Sequence, residues 1–304
     1  MPVCGIRNTW RETAAAALLA AVVAALLVHL YGVNGSTEDV EVRGRSAILW
    51  MVDRWNGSGG DLSQGWLIPL VSAALIGWRR RELVQAVGRS DRRGLLLIAG
   101  AMVLYILGAR IQQTRIVLLS LVLLTWAVPF YFWGVGVARK LLFPCSYLLF
   151  CIPLSFLDTL TFPLRLMASR GAAALLNGLG IGARTQGTAI LSTVAGGFNL
   201  EVADPCSGLR SILAMAAVTA LYAFVSQRTP ARKWLLFAAC IPIAVCGNIV
   251  RILSVAFIAH LAGQTRAVVY YHDYSSYVFF ATAILLMMGV GSFLNRLKLR
   301  EGAS

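Results

Sequence analysis

The sequence predicts an all-α integral membrane bundle of about eight transmembrane helices, with a small interfacial helix and a β-hairpin on its outer face ahead of Cys206. Three observations carry that prediction. Hydrophobic residues make up 58% of the chain and charged residues only 13%, whereas a soluble domain carries roughly a quarter charged residues. Apolar runs of 17 or more residues recur along the chain, long enough to cross a hydrocarbon layer of about 30 Å. The Arg and Lys residues gather in short segments between those runs, as the positive-inside rule describes. That placement also argues against nucleic acid as the partner for a net charge of +14, because no finger, basic helix or aromatic–basic motif accompanies it.

Taken in order, the spans read as about 14–31, 65–78, 94–111, 116–138, 141–157, 207–226, 234–262 and 277–294. The first follows Arg7 and Arg11 and could pass for a signal peptide, but no small-x-small site follows "LLVHLYG", so it reads as a retained anchor. The second is short. With both termini on the cytoplasmic side, the inner segments 1–13, 79–93, 139–140, 227–233 and 295–304 hold sixteen of the 27 Lys and Arg but four of the 13 acids. No internal repeat interrupts this layout, and residues 1–304 read as one polytopic membrane domain. Its spans are generic over 1–140, and the polar motifs collect over 141–304.

The longest outer segment, 158–206, is not uniformly polar. "LTFPLRLMASRGAAALLNGLG" reads as an interfacial helix with Arg165 and Arg170 on its wet side. "GTAILSTV" and "FNLEV" alternate apolar and polar residues on either side of "AGG", a hairpin with a glycine turn. It delivers the chain to "EVADPCSGLRSI", where Asp204 is a candidate N-cap and Pro205 a first helical residue. Cys206 then falls in the first turn of span six, where unpaired amides and the helix dipole favour a thiolate. Arg210 follows at i+4 on the same face. Asp204 opposes thiolate formation, so a second cation would help.

Span seven, "CIPIAVCGNIVRILSVAFIAH", supplies one. Asn248 and Arg251 stand three residues apart on one face. An arginine inside a span costs several kcal/mol unless it is paired or watered, so it marks a functional site by default. Arg251 is 17 residues beyond Trp234 at the inner end, about 25 Å up the helix and close to the outer interface. A snorkelling structural arginine is the bland alternative. Of three histidines, His29 lies near the outer end of span one, and His260 is nine residues past Arg251, about 180° around the helix. His272, in "VVYYHDYSSYVFF" just before span eight, has Tyr270, Asp273 and Tyr274 to orient it. Cys145, Cys151 and Cys240 read as small buried hydrophobes; with Cys4 and Cys246 they form no C-x-x-C pair, so neither zinc nor a disulfide framework is signalled.

Three segments thus bring a thiol, a guanidinium and an imidazole to one membrane face. A Cys–His pair is the minimal kit for thiol acyl transfer: the base takes the thiol proton and returns it to the leaving amine. The arginine can stabilise the oxyanion or the thiolate.

At these residues the chain resembles the exosortase/archaeosortase family of integral membrane cysteine transpeptidases. "CSGLRS" at 206–211, "NIVR" at 248–251 and "HDYSSY" at 272–277 carry the resemblance, in the family's order and densest from about 185 to 294. It implies catalytic roles for Cys206, Arg251 and His272, with Arg210 and Asn248 supporting, and it implies neither cofactor nor metal. Two departures stand out: Pro205 precedes the nucleophile, and Ser275-Ser276 replaces a glycine that often follows the histidine motif. The implied activity is a cysteine protease or transpeptidase that cleaves a PEP-CTERM-like tail (short motif, membrane span, basic end) from exported proteins. Cleavage would occur at the outer face of a bacterial inner membrane, through a thioester, often alongside exopolysaccharide production. The expected partners are those tailed proteins and membrane lipid, with water or an amine resolving the acyl-enzyme.

Rival readings remain. A transporter could line a path with Arg251 and Asn248 between helices broken at Pro153 and Pro242, but it gives Cys206 no role. A thiol–disulfide enzyme would need a partner cysteine on the outer side. A serine protease could use Ser207, which points about 100° away from Cys206 on the same helix.

Overall fold

Among the residues described in the computed structural model (18, 21–35, 45–56, 63–153, 157–194, 197–200 and 208–297), four helical segments are long and apolar enough to cross a membrane. They are Arg92–Arg110, Thr114–Cys151, Pro230–Ala262 and Tyr274–Arg296; Ala21–Val33, Gln64–Trp78 and Ile212–Ser226 are shorter apolar helices. The chain divides into two compact units, 1–154 and 155–304. The sequence had drawn its own line between generic spans and motif-bearing spans at 140.

In the first unit, α1 (Ala21–Val33) ends in a π-helical turn. It is followed by α2 (Ala47–Asn56), α3 (Leu67–Trp78), the short α4 (Arg80–Gln85), α5 (Arg92–Arg110) and α6 (Thr114–Tyr147). Asp91 caps α5 by accepting from the Arg93 amide at 2.9 Å. α6 is not one rod. Twenty residues of straight helix would separate Thr125 from Cys145 by about 30 Å, yet the Cys145 thiol lies 3.7 Å from the Thr125 carbonyl. Likewise, the Trp126 indole donates to the Ala138 carbonyl at 2.8 Å.

The chain folds back at Gly134, whose φ of 78° falls where L side chains strain. A Cβ there would also meet the Arg89 carbonyl. The reversal is held by the preceding connection: Gly88 and Asp91 amides donate to the Trp133 and Tyr131 carbonyls, and Lys140 pairs with Glu82 at 3.1 Å. The basic segments 79–93 and 131–140 therefore share one end of this unit. At its other end Arg115 Nε donates to the Pro153 carbonyl at 3.0 Å and Trp55 Nε1 to that of Cys151 at 2.9 Å. The fold thus places the turn at Gly134, whereas the sequence reading set the break at the charged pair Arg139-Lys140.

The second unit begins with α7 (Leu157–Gly178), over the stretch read as interfacial. Its small residues Ala168, Ala172 and Ala173 bury against Ile252, Val255, Ala256 and Ala259 of α10 (Cys240–Ala262) and the apolar side of a small sheet. The sheet has three antiparallel strands in the order β1 (Ala183–Gln186), β2 (Ala189–Ser192), β3 (Asn199–Leu200).

β2 and β3 pair Ile190 with Leu200 on either side of the "AGG" stretch. β1 is additional: a two-residue turn at Gly187 (φ 61°) folds it onto β2, pairing Gln186 with Ala189. Asn177 at the end of α7 locks β1 by bonding both the amide and the carbonyl of Ala183 at 2.8 Å.

α8 (Gly208–Ser226), α9 (Pro230–Ala238), α10 and α11 (His272–Arg296, after a π-helical turn Arg266–Tyr271) complete the unit. Span seven of the sequence reading is therefore broken at Ala239, ahead of Pro242. Met215, Ile243, Ala244, Phe279, Ala283 and Met287 knit α8, α10 and α11 together. A Cβ on Gly247 would lie 3.2 Å from the Phe279 ring, so α10 and α11 run close together here.

Candidate functional site

Along α10 the buried residues Asn248, Arg251, Ile252, Val255, Ala256 and Ala259 form one stripe of helical period. Five of its six positions suit a membrane bundle, being small or apolar or an amide. Arg251 does not, and it is only 2% exposed. Its Nε–H donates to the Oγ of Ser275 at 2.9 Å, and Ser275 is itself fully buried. Among the described residues the two Nη groups of Arg251 have no hydrogen-bond or ion-pair partner. A guanidinium so placed, with no carboxylate beside it among the described residues, retains donors for whatever enters next to it.

Ser275 lies one turn past His272 on α11, so its bond to Arg251 registers the "NIVR" segment against the "HDYSSY" segment. At the other end of α11, Arg232 of α9, the segment that leads into α10, donates through Nη2 to the Leu297 carbonyl at 2.7 Å. Residues 275 and 297 are separated by 22 residues of helix, about 33 Å, close to one hydrocarbon thickness. Arg251 thus sits roughly a membrane's width from the basic ends of these helices.

Asn248, 8% exposed, opens onto a cavity of about 10 Å³ between α7, α8, α10 and α11, room for about one water. Leu164, Ile212, Ala244, Val245 and Phe279 supply its apolar wall, and Arg165 is the other polar lining residue. The sequence reading had put both Arg165 and Arg170 on the wet side of their helix. Arg170 is exposed, but Arg165 is half-buried and turns to the cavity. The Arg165 guanidinium also lies 5.9 Å from the Phe162 ring centroid.

Of the residues singled out by sequence, Arg251 and Asn248 are thus described in full. Arg210 is the third residue of α8 and His272 the first of α11; their backbones are described, their side chains lie outside the description. Cys206, with Asp204, Pro205 and Ser207, lies outside the described residues, which resume at Gly208. His260 is exposed near the end of α10, off the buried stripe. His29 belongs to the first unit and has a local partner, the Asn34 amide at 3.2 Å. Cys145, Cys151 and Cys240 are buried free thiols, and Cys246 is an exposed one. Sequence reasoning noted Ser275 only as a departure in the histidine motif, and it did not place Arg165 at this cavity. The one signal for Ser275 was its place a turn after His272; Arg165 gave none.

The model of the transmembrane exosortase family matches residues 55–289. The chain belongs to the transmembrane exosortase family. The match spans both units and includes all three motif segments. Membership supports a membrane transpeptidase or protease role in general terms. No curated protein sequence and no solved structure matches the chain.

Proposed function

We propose that this exosortase is a membrane-embedded cysteine peptidase or transpeptidase that removes PEP-CTERM-like sorting tails from exported proteins at the outer face of the membrane. Cys206 is the nucleophile, His272 the acid/base, Arg251 the electrostatic stabiliser, and Arg210 and Asn248 support them. The observation that carries this reading is the state of Arg251: buried, held at Nε and without a counter-ion among the described residues. In the reaction, His272 takes the proton from the Cys206 thiol and sulfur attacks the scissile carbonyl. The Nη donors of Arg251 meet the oxyanion as it forms. Collapse breaks the C–N bond, His272 protonates the departing amine, and a thioester remains. Water or an acceptor amine then attacks the thioester, gives up its proton to His272, and frees the thiol.

The outer-face location is supported by the helix register: Arg251 and Ser275 lie about 33 Å from the basic end marked by Arg232 and Leu297, the end assigned to the cytoplasm. Eight spans with both termini inside remain our reading, with α6 contributing two passes joined at Gly134.

The test is to replace Cys206 and Ser207 separately by alanine and follow cleavage of a secreted reporter carrying a PEP-CTERM-type tail. Cys206→Ala should abolish cleavage while the enzyme stays in the membrane, and Ser207→Ala should retain it. Normal cleavage by Cys206→Ala would sink the thiol mechanism.

A further inference from the structure

We infer that Ser275 is the positioning residue for Arg251; the inference rests on the reading of Arg251 as the electrostatic stabiliser. A guanidinium has five N–H donors and no acceptor. Here one of them, Nε–H, is taken by Ser275 Oγ at 2.9 Å, leaving the four on the two Nη groups of the same rigid plane. The hydroxyl thus fixes how the plane is turned without using any donor that faces the reacting group.

Burial makes this bond consequential. Arg251 is 2% exposed and Ser275 0%, so water cannot replace a lost hydroxyl without entering the helix interface. An Nε–H with no acceptor would draw the guanidinium toward some other carbonyl, and the Nη edge would turn with it. Ser275 is also three residues after His272 on the same helix. A short side chain one turn along the chain from His272 therefore ties the α10 arginine to the α11 histidine segment. The near contact of Gly247 with the Phe279 ring, one turn further along each helix, keeps the helices close enough for so short a side chain to reach. The sequence departure at Ser275 is, on this account, a working part of the site. Ser276, its neighbour, is only half-buried and has no such role.

The experiment compares full-length Ser275→Ala, Ser275→Thr and wild-type enzyme, purified in detergent, on the secreted reporter with a PEP-CTERM-type tail. Cys206→Ala and Arg251→Ala run as controls. Activity is expressed per folded enzyme, so that a lower yield does not count as a lower rate. Ser275→Ala should lower kcat about 10- to 100-fold, with KM changed less than about twofold because a positioning group acts on the transition state. Ser275→Thr, which keeps the acceptor, should recover most of kcat. If Ser275→Ala does not accumulate, Ser275→Cys, similar in size but a poor acceptor, takes its place and should also lose kcat.

Wild-type kcat in Ser275→Ala or Ser275→Cys, or a threonine variant as slow as alanine, overturns the role of Ser275. Normal cleavage by Cys206→Ala or Arg251→Ala instead overturns the reading of the site itself.

Discussion

Replacing Arg251 with methionine should separate function from stability in opposite directions. The native side chain is an almost fully buried cation in a membrane helix, with one of its five donors satisfied among the described residues. Burying a charge without a counter-ion is costly, and exchanging buried ionic groups for apolar residues of similar volume is often neutral or stabilising by about 1–4 kcal/mol. Methionine fills much of the same space but removes the Arg251–Ser275 hydrogen bond, a loss of about 1 kcal/mol. The net expectation is unchanged or slightly higher stability. Activity should move the other way: loss of one oxyanion-stabilising group costs about 100- to 1,000-fold in kcat, or about 3–4 kcal/mol. Arg251→Lys should sit nearer the methionine variant than the wild type, since an ammonium does not reproduce a planar fork held at Nε. The assay pairs thermal unfolding in detergent with tail cleavage by the same preparations. A large fall in Tm with full activity per folded molecule would mean that Arg251 is a structural anchor, and the mechanism would fail.

His272→Ala should lower tail cleavage about 100- to 10,000-fold, while His260→Ala, on an exposed position of α10, should turn over normally; a silent His272→Ala would remove the acid/base assignment. Glu82, an exposed residue, has its carboxyl held below the ordinary 4.5, first by the hydrogen bond from Lys140, then by the charges of Lys140 and Arg79. Its ion pair therefore adds to stability above the unfolded-state pKa, and that contribution fades as pH falls through the lowered folded value. Stability of Glu82→Gln and wild type, compared by chaotrope denaturation, should differ slightly at pH 7 and converge once the pH has fallen below the lowered folded value. A difference that grows on acidification would contradict the sign.

What was legible in the sequence followed from strong local signals. The buried stripe of α10 could be read because a 3.6-residue period puts Asn248 and Arg251 on one face, and an arginine among Ile, Val and Ala has no cheap explanation. The motif segments could be read because three short polar clusters stand out in an apolar chain. The turn at Gly134 was displaced toward Arg139-Lys140 because charge is the visible marker of a membrane boundary, whereas a positive φ is fixed by packing against the Arg89 carbonyl. β1 escaped notice because "ARTQ" has no apolar alternation; its edge position comes from Asn177 and from β2.

Ser275 was illegible for a deeper reason, and the reason bears on how the site is built. Serine in a helix is energetically unremarkable, and only the tertiary register of α10 against α11 gives its hydroxyl a partner 24 residues away. That register does not rest on this bond alone. Apolar packing of Phe279, Ala283 and Met287 with Ile243 and Ala244 holds the same two helices together, and at the opposite end Arg232 ties α9 to Leu297. The hydroxyl therefore does not have to hold the fold together, and it is free to serve orientation. Removing it leaves a buried cation with one more unmet donor inside a scaffold that stays registered. A rate that changes while the bundle stays intact is what such an arrangement predicts, because the energy that orients Arg251 and the energy that docks α10 on α11 come from different atoms.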